Sequence, residues 1–165
     1  MMKEDFYFKE TTMKRFLQLV VMMTAFAVGS AGAAGAERAS ANDAVAMVKK
    51  VIADMKKLGK EKVIQDIQAQ SPQYLDRDLY VTVGTLEGIT LANGNNAKLA
   101  GKNTLDLKDV DGKSIVRDRI EIAKTKGSGW QDYKWPDPLT KKIQKKSMYV
   151  ERYEEMTVAC GIYKD

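Results

Sequence analysis

The stretch Gly127-Ser128-Gly129-Trp130-Gln131-Asp132-Tyr133-Lys134-Trp135-Pro136-Asp137-Pro138, followed after a lysine-rich turn by Lys146-Ser147-Met148-Tyr149, decides how this chain reads. The glycine pair breaks the segment before it, and the prolines stop a run of aromatic and polar residues from Trp130 to Trp135, the pattern of a strand. Lys146–Tyr153 and Met156–Tyr163 read as two more strands, meeting at a tight turn near Glu154-Glu155. Hairpin-length links among three consecutive strands predict an antiparallel sheet. Both tryptophans of the chain fall in this stretch. With Tyr133, Tyr149 and Lys146 they compose the chemistry of a small-ligand pocket: apolar walls, hydroxyl and indole donors, one cation.

Upstream the period changes. Ala44, Val45, Val48, Val51, Ile52, Met55 and Leu58 recur at three- and four-residue steps with lysines mostly opposite, which predicts an amphipathic helix. Ser40-Ala41-Asn42-Asp43 matches a capping box at its start, and Gly59 is its stop. Val63, Ile64 and Ile67 predict a short second helix closed by Ser71-Pro72. From Asp78 the spacing is two: Leu79, Val81 and Val83 alternate with Tyr80 and Thr82, and Glu87-Gly88 turns into Ile89–Ala92. A helix is expected over Lys113–Lys126. The order helix, helix, strand, strand, helix and three strands makes the class α+β, with the long helix on one sheet face. The loop and helix between the second and third strands then cover the other face, where a ligand cavity is expected.

The beginning of the chain points to export. Met13-Lys14-Arg15, an apolar run from Phe16 to Val28 and small residues to Ala34-Gly35-Ala36 form the pattern of a secretory signal peptide, with Met13 the expected start. The run is short for a transmembrane helix, which needs about 20 residues, so an uncleaved anchor is the lesser alternative. Residues 37–165 are expected to be one periplasmic or secreted domain of 129 residues with a net charge of +4. That mild, dispersed charge gives no nucleic-acid footprint. The chain has no histidine and one cysteine, so a His-based triad, His-ligated zinc and an internal disulfide are excluded. Cys160, in an apolar strand, reads as a small core residue. No cofactor or metal is expected. Asp109-Val110-Asp111-Gly112 resembles a calcium loop only faintly, since Leu107 and Asp118 stand where acidic and glutamate ligands belong.

Asp78-Leu79-Tyr80-Val81, Gly101-Lys102-Asn103, Asp106–Lys113, Ala123–Trp130, Tyr133-Lys134-Trp135-Pro136, Lys146-Ser147-Met148-Tyr149 and Cys160-Gly161-Ile162-Tyr163-Lys164 are ordered motifs spanning nearly all of this domain. They resemble the single Cache domain of the second type, the extracytoplasmic sensing module of bacterial chemoreceptors and histidine kinases. The resemblance implies a PAS-like five-stranded antiparallel sheet, a long N-terminal helix and a pocket for small organic molecules, often short carboxylic acids. Two positions depart from it: Ala92-Asn93-Gly94 stands where Ala-His-Gly is common, and the usual aspartate near Gly84 or Leu86 is missing. The sequence shows no signalling domain after Asp165, so a separate membrane receptor or transport system is the expected partner.

The ligand-binding candidates are Tyr80, Trp130, Tyr133, Trp135, Lys146 and Tyr149, with Lys146 as the cation for a carboxylate. For each aromatic the competing role is packing in the core, and for Lys146 a solvated strand lysine. Strand alternation places Tyr133 and Trp135 on one face and Trp130 on the other, and separates Lys146 from Tyr149 in the same way. An amine held over the tryptophans is a further possibility that a pocket lysine would oppose. The functional expectation is a binding protein, not an enzyme. The alternative is an interaction module with a degenerate pocket that docks on a receptor or forms a homodimer through the N-terminal helix.

Overall fold

A computed structural model describes residues 37–164. The expected signal peptide and its cleavage site lie outside the described residues. Helix α1 spans Ala41–Leu58. Its N-terminus is closed as the sequence predicts: the Asp43 amide donates to Ser40 Oγ and the Ser40 amide donates to the Asp43 carboxylate at 2.8 Å. Gly59, at φ 90°, takes a backbone that a side chain would strain and starts α2 (Lys60–Gln68) directly. Among the described residues no helix is long and apolar enough to cross a membrane.

A short turn at Pro72–Tyr74 leads into β1 (Leu75–Asp76), a two-residue strand that the sequence did not reveal. Then follow β2 (Leu79–Thr85), β3 (Thr90–Asn93), α3 (Val116–Lys126), β4 (Ser128–Pro136), β5 (Ile143–Tyr153) and β6 (Met156–Lys164). The expected helix over Lys113–Lys126 starts three residues late. Asp109 accounts for the delay: its Oδ1 accepts the amides of Asp111 and Lys113 at 2.9 Å, and its Oδ2 accepts that of Lys134. The Asp109–Gly112 turn is therefore a strap tying the loop to β4, its first carboxylate occupied by backbone donors.

The sheet is antiparallel throughout, in the order β3-β2-β6-β5-β4, with β1 beside the start of β2. The tight turn is where expected, Tyr153 pairing with Met156 around Glu154-Glu155. Strand β6, with its neighbours on both sides, runs through the middle. The register sets Val81 and Tyr149 opposite Cys160, and Trp130 opposite Tyr149.

Each sheet face carries its own cluster. On one, Val48, Val51 and Met55 of α1 and Val63 and Ile67 of α2 pack on Leu79, Val81, Val83, Val158 and Cys160. On the other, Ile115, Val116, Ile120 and Ala123 of α3 and the residue before it pack on Tyr133, Met148, Val150 and Ala159. The apolar stripe of α1, including Val48, Ile52 and Met55, is thus committed to its own sheet. Leu58, the last residue of the expected stripe, lies outside it and is exposed.

Candidate functional site

Strand alternation delivers a set of polar side chains to the α3 face. Leu79, Val81 and Val83 go into the α1 core, which turns Tyr80 and Thr82 the other way. Strand β3 adds Thr90 and Asn93, β4 adds Tyr133 and Trp135, and β5 adds Met148. Helix α3 closes the top with Val116 and Arg119, and the loop before it contributes Leu99, Thr104 and Leu107. Together they enclose a cavity of about 30 Å³ under the loop and helix. That is room for about two water molecules, or an organic ion of a few heavy atoms.

Arg119 dominates its chemistry. The side chain is 6% exposed, yet no carboxylate pairs with it among the described residues. One terminal nitrogen donates to the Met148 sulfur at 3.3 Å, a weak acceptor, and Nε has no partner at all. The Tyr133 hydroxyl donates to the same sulfur at 3.4 Å. A buried guanidinium with spare donors beside a cavity has hydrogen-bonding capacity that an anion would satisfy.

The polar wall is partly self-satisfied. Thr90 and Thr104 hydroxyls lie 2.8 Å apart, and Thr104 donates to the Gly88 carbonyl. Asn93 donates to Thr82 Oγ1 at 3.4 Å, while its carbonyl oxygen accepts the amides of Asn95 and Asn96. The position that departs from Ala-His-Gly therefore lines the cavity and also shapes the turn after β3. Tyr133 and Trp135 meet edge to face, their centroids 6.2 Å apart.

Of the six sequence candidates, Tyr80, Tyr133 and Trp135 are brought to this cavity. Lys146 is fully buried but stands behind Tyr80 instead of lining the space. Its Nζ lies 3.7 Å from the Tyr80 ring centroid, 4.6 Å from that of Tyr163, and 3.3 Å from the Tyr163 hydroxyl. Burial pushes this amine down to about 7. The solvated-lysine alternative is overturned. Gly161 makes the fold of that side chain possible: a Cβ there would come within 3.0 Å of Lys146 Cε and 2.6 Å of the Ser147 carbonyl.

Trp130 and Tyr149 lie elsewhere. They pack on each other with centroids 5.4 Å apart, on the opposite sheet face. Trp130 is 40% exposed and borders an open depression between α3 and the β4 edge, and the Tyr149 hydroxyl donates to Glu151. Cys160 is buried in the α1 core, where desolvation pushes the thiol up to about 12, which suits a packing residue. Among the described residues there is no cluster of acidic, cysteine or histidine side chains that could hold a metal.

Arg119 is the residue that sequence reading missed. It left a trace: Val116, Arg119, Ile120 and Ala123 follow helical spacing, so a charge sits on the apolar stripe of α3.

Comparison with known proteins agrees with this architecture. A solved methyl-accepting chemotaxis protein of Vibrio parahaemolyticus RIMD 2210633 superposes with a TM-score of 0.67 at 22% identity, over 75% of this chain and 88% of that one. A periplasmic sensor domain of a chemotaxis protein gives 0.60 at 23% identity, over 75% and 90%. A Cache chemosensory domain described for carboxylic acid recognition gives 0.60 at 20% identity, over 75% and 88%. These likenesses establish the fold. In sequence, the chain is 32% identical over 91 residues to the sensor histidine kinase MctS of Rhizobium johnstonii (strain DSM 114642 / LMG 32736 / 3841). The match takes in 54% of this chain and only 20% of that relative's length. The family model described as single Cache domain 2 matches residues 17–165, so the chain belongs to the single Cache domain 2 family.

Proposed function

We propose that this chain is an extracytoplasmic sensory module that binds a small carboxylate in the cavity beneath α3, with Arg119 as its anchor. One observation carries the reading: a buried guanidinium, with no acidic partner among the described residues and an unused Nε–H, lines the cavity. A carboxylate supplies two acceptor oxygens in the geometry a guanidinium prefers. The Tyr133 hydroxyl, which otherwise donates to the Met148 sulfur, would turn to the anion from the β4 side, and the Trp135 ring walls the remaining space. The volume favours acids the size of formate, acetate or propionate. The cationic wall disfavours amines.

The described similarity of a neighbouring fold to carboxylic acid recognition, and of others to chemotaxis and sensor-kinase domains, supports a sensing role alongside a membrane receptor. The leader pattern and the periplasmic description of a neighbour support export. A homodimer through α1 would use the lysine-bearing outer face, because the apolar stripe is core. Titration calorimetry of the purified protein with formate, acetate, propionate, pyruvate and the matching short amines tests the reading. Binding of one or more acids, lost in Arg119→Met, is expected. Silence from every acid would overturn it and leave the interaction-module alternative.

A further inference from the structure

Lys146 is the second cation of this interior, and the carboxylate-binding reading alone gives it no role. Tyr80, which lines the cavity, has its ring centroid 3.7 Å from the amine. The amine has one conventional partner, the Tyr163 hydroxyl, which itself donates to the Pro136 carbonyl at 2.8 Å. Two aromatic faces complete its surroundings, a setting that can hold an ammonium but supplies no counter-charge.

The charges facing it can be enumerated. From α3 comes Arg119, a like charge that opposes protonation. From β4 and β6 come Tyr133, Tyr163 and Cys160, all kept neutral by burial at ordinary pH. From the segment before β2 and the turn after β4 come Asp78 and Asp137, which favour the ammonium, but both are engaged by Arg38 at 3.3 and 2.6 Å. The interior thus holds a charged guanidinium and a titratable amine, and the two carboxylates that act on the amine share Arg38.

We propose that the cavity takes its anion together with one proton, which settles on the Lys146 amine. An anion against Arg119 cancels the like charge that opposes protonation and adds a negative charge one ring away. By linkage, protonation of Lys146 must then tighten the anion site. The proton comes from solvent and no bond other than N–H forms. The module would respond to the acid and to pH jointly, strongest where the medium is mildly acidic.

This inference rests on the carboxylate reading, and acetate is the probe that separates the two. Calorimetry of the protein with acetate in Tris and in HEPES, across pH 6.5–8.5, reads proton uptake from the difference in heats. We expect uptake of a sizeable fraction of a proton and affinity about tenfold higher at pH 6.5 than at 8.5. Lys146→Met should bind acetate with no uptake and no pH dependence over that range. Should that variant fail to fold, the ¹³Cε resonance of Lys146 in the unaltered protein serves, its titration midpoint rising in saturating acetate. Acetate binding without uptake, uptake that persists in Lys146→Met, or an unmoved midpoint would overturn the coupling alone. No acetate binding at any pH would remove the carboxylate reading for acetate and the coupling with it.

Discussion

The two faces of one sheet solve opposite problems. Under α1 the centre is apolar and dry: Val48, Val51, Val63, Val81, Val83 and Val158 are all inaccessible to solvent. On the α3 side the sheet buries Thr82, Thr90, Asn93 and Lys146, and the helix itself buries Arg119. Buried apolar groups stabilise wherever they pack, whereas a buried cation stabilises only with a partner. The first face holds the fold together. The second accepts a stability cost that an arriving anion can offset, which is how a domain couples ligand to conformation.

Substitutions on the two faces should therefore separate stability from binding. Met55→Ala, in the α1 core, is expected to cost about 2–5 kcal/mol in chemical denaturation, with carboxylate affinity in the folded protein unchanged. Arg119→Met is expected to do the reverse: carboxylate affinity falls about a hundredfold in calorimetry, roughly the strength of a charge-assisted pair. Its melting temperature should hold or rise, because the change removes a buried charge lacking a partner. A large loss of stability in Arg119→Met would mean that the arginine packs as part of the core and that the faces differ less than their composition implies.

This division was only half legible in the sequence. The α1 face announces itself through the 3.6-residue stripe from Ala44 to Met55 and the two-residue alternation of Leu79, Val81 and Val83, because apolar periodicity is what burial on one side leaves behind. The same alternation separates Trp130 from Tyr133 and Trp135, as found. The tie from Asp109 to β4 was not legible, since it depends on a contact with Lys134 that is 25 residues away. Nor was the exchange of roles between two cations. Lys146 stands amid the strand aromatics and invites the anchoring role, while Arg119 sits on a helix that looks like ordinary surface, its neighbours Arg117, Asp118, Glu121 and Lys124 all charged. Which cation reaches the cavity depends on the Gly161 gap that lets Lys146 fold behind Tyr80. No local pattern encodes that.

The pH dependence of stability distinguishes the faces more finely. In the folded state Lys146 is held near 7, below its ordinary 10.5, so between those values the unfolded chain binds more protons than the native one. Stability should therefore climb with pH across this window, by at most about 1.4 kcal/mol per pH unit for one site, with the full cost present below pH 7. Tyr80 and Tyr133, held up by burial, reverse the trend above pH 10, so denaturation is best followed from pH 7 to 9.5. Lys146→Met should flatten the curve. Saturating acetate should shift the onset of the rise upward. A slope unchanged in the variant would assign it to another group.

The smallest expected effect belongs to Trp130, and it tests whether sheet face or aromatic clustering decides function. Its ring is part-exposed and its aromatic partner is Tyr149, met at a tilt, so Trp130→Ala should cost about 1 kcal/mol or less, the range of a single aromatic pair. Carboxylate affinity should not move, because the side chain leaves the sheet away from Tyr133, Trp135 and Arg119. Trp135→Ala, five residues further along the strand and so on the other face, within the cavity wall, should weaken binding several-fold instead. If the two tryptophans prove equivalent in calorimetry, the ligand reaches around the β4 edge into the depression beside α3, and the sheet is no barrier between its faces.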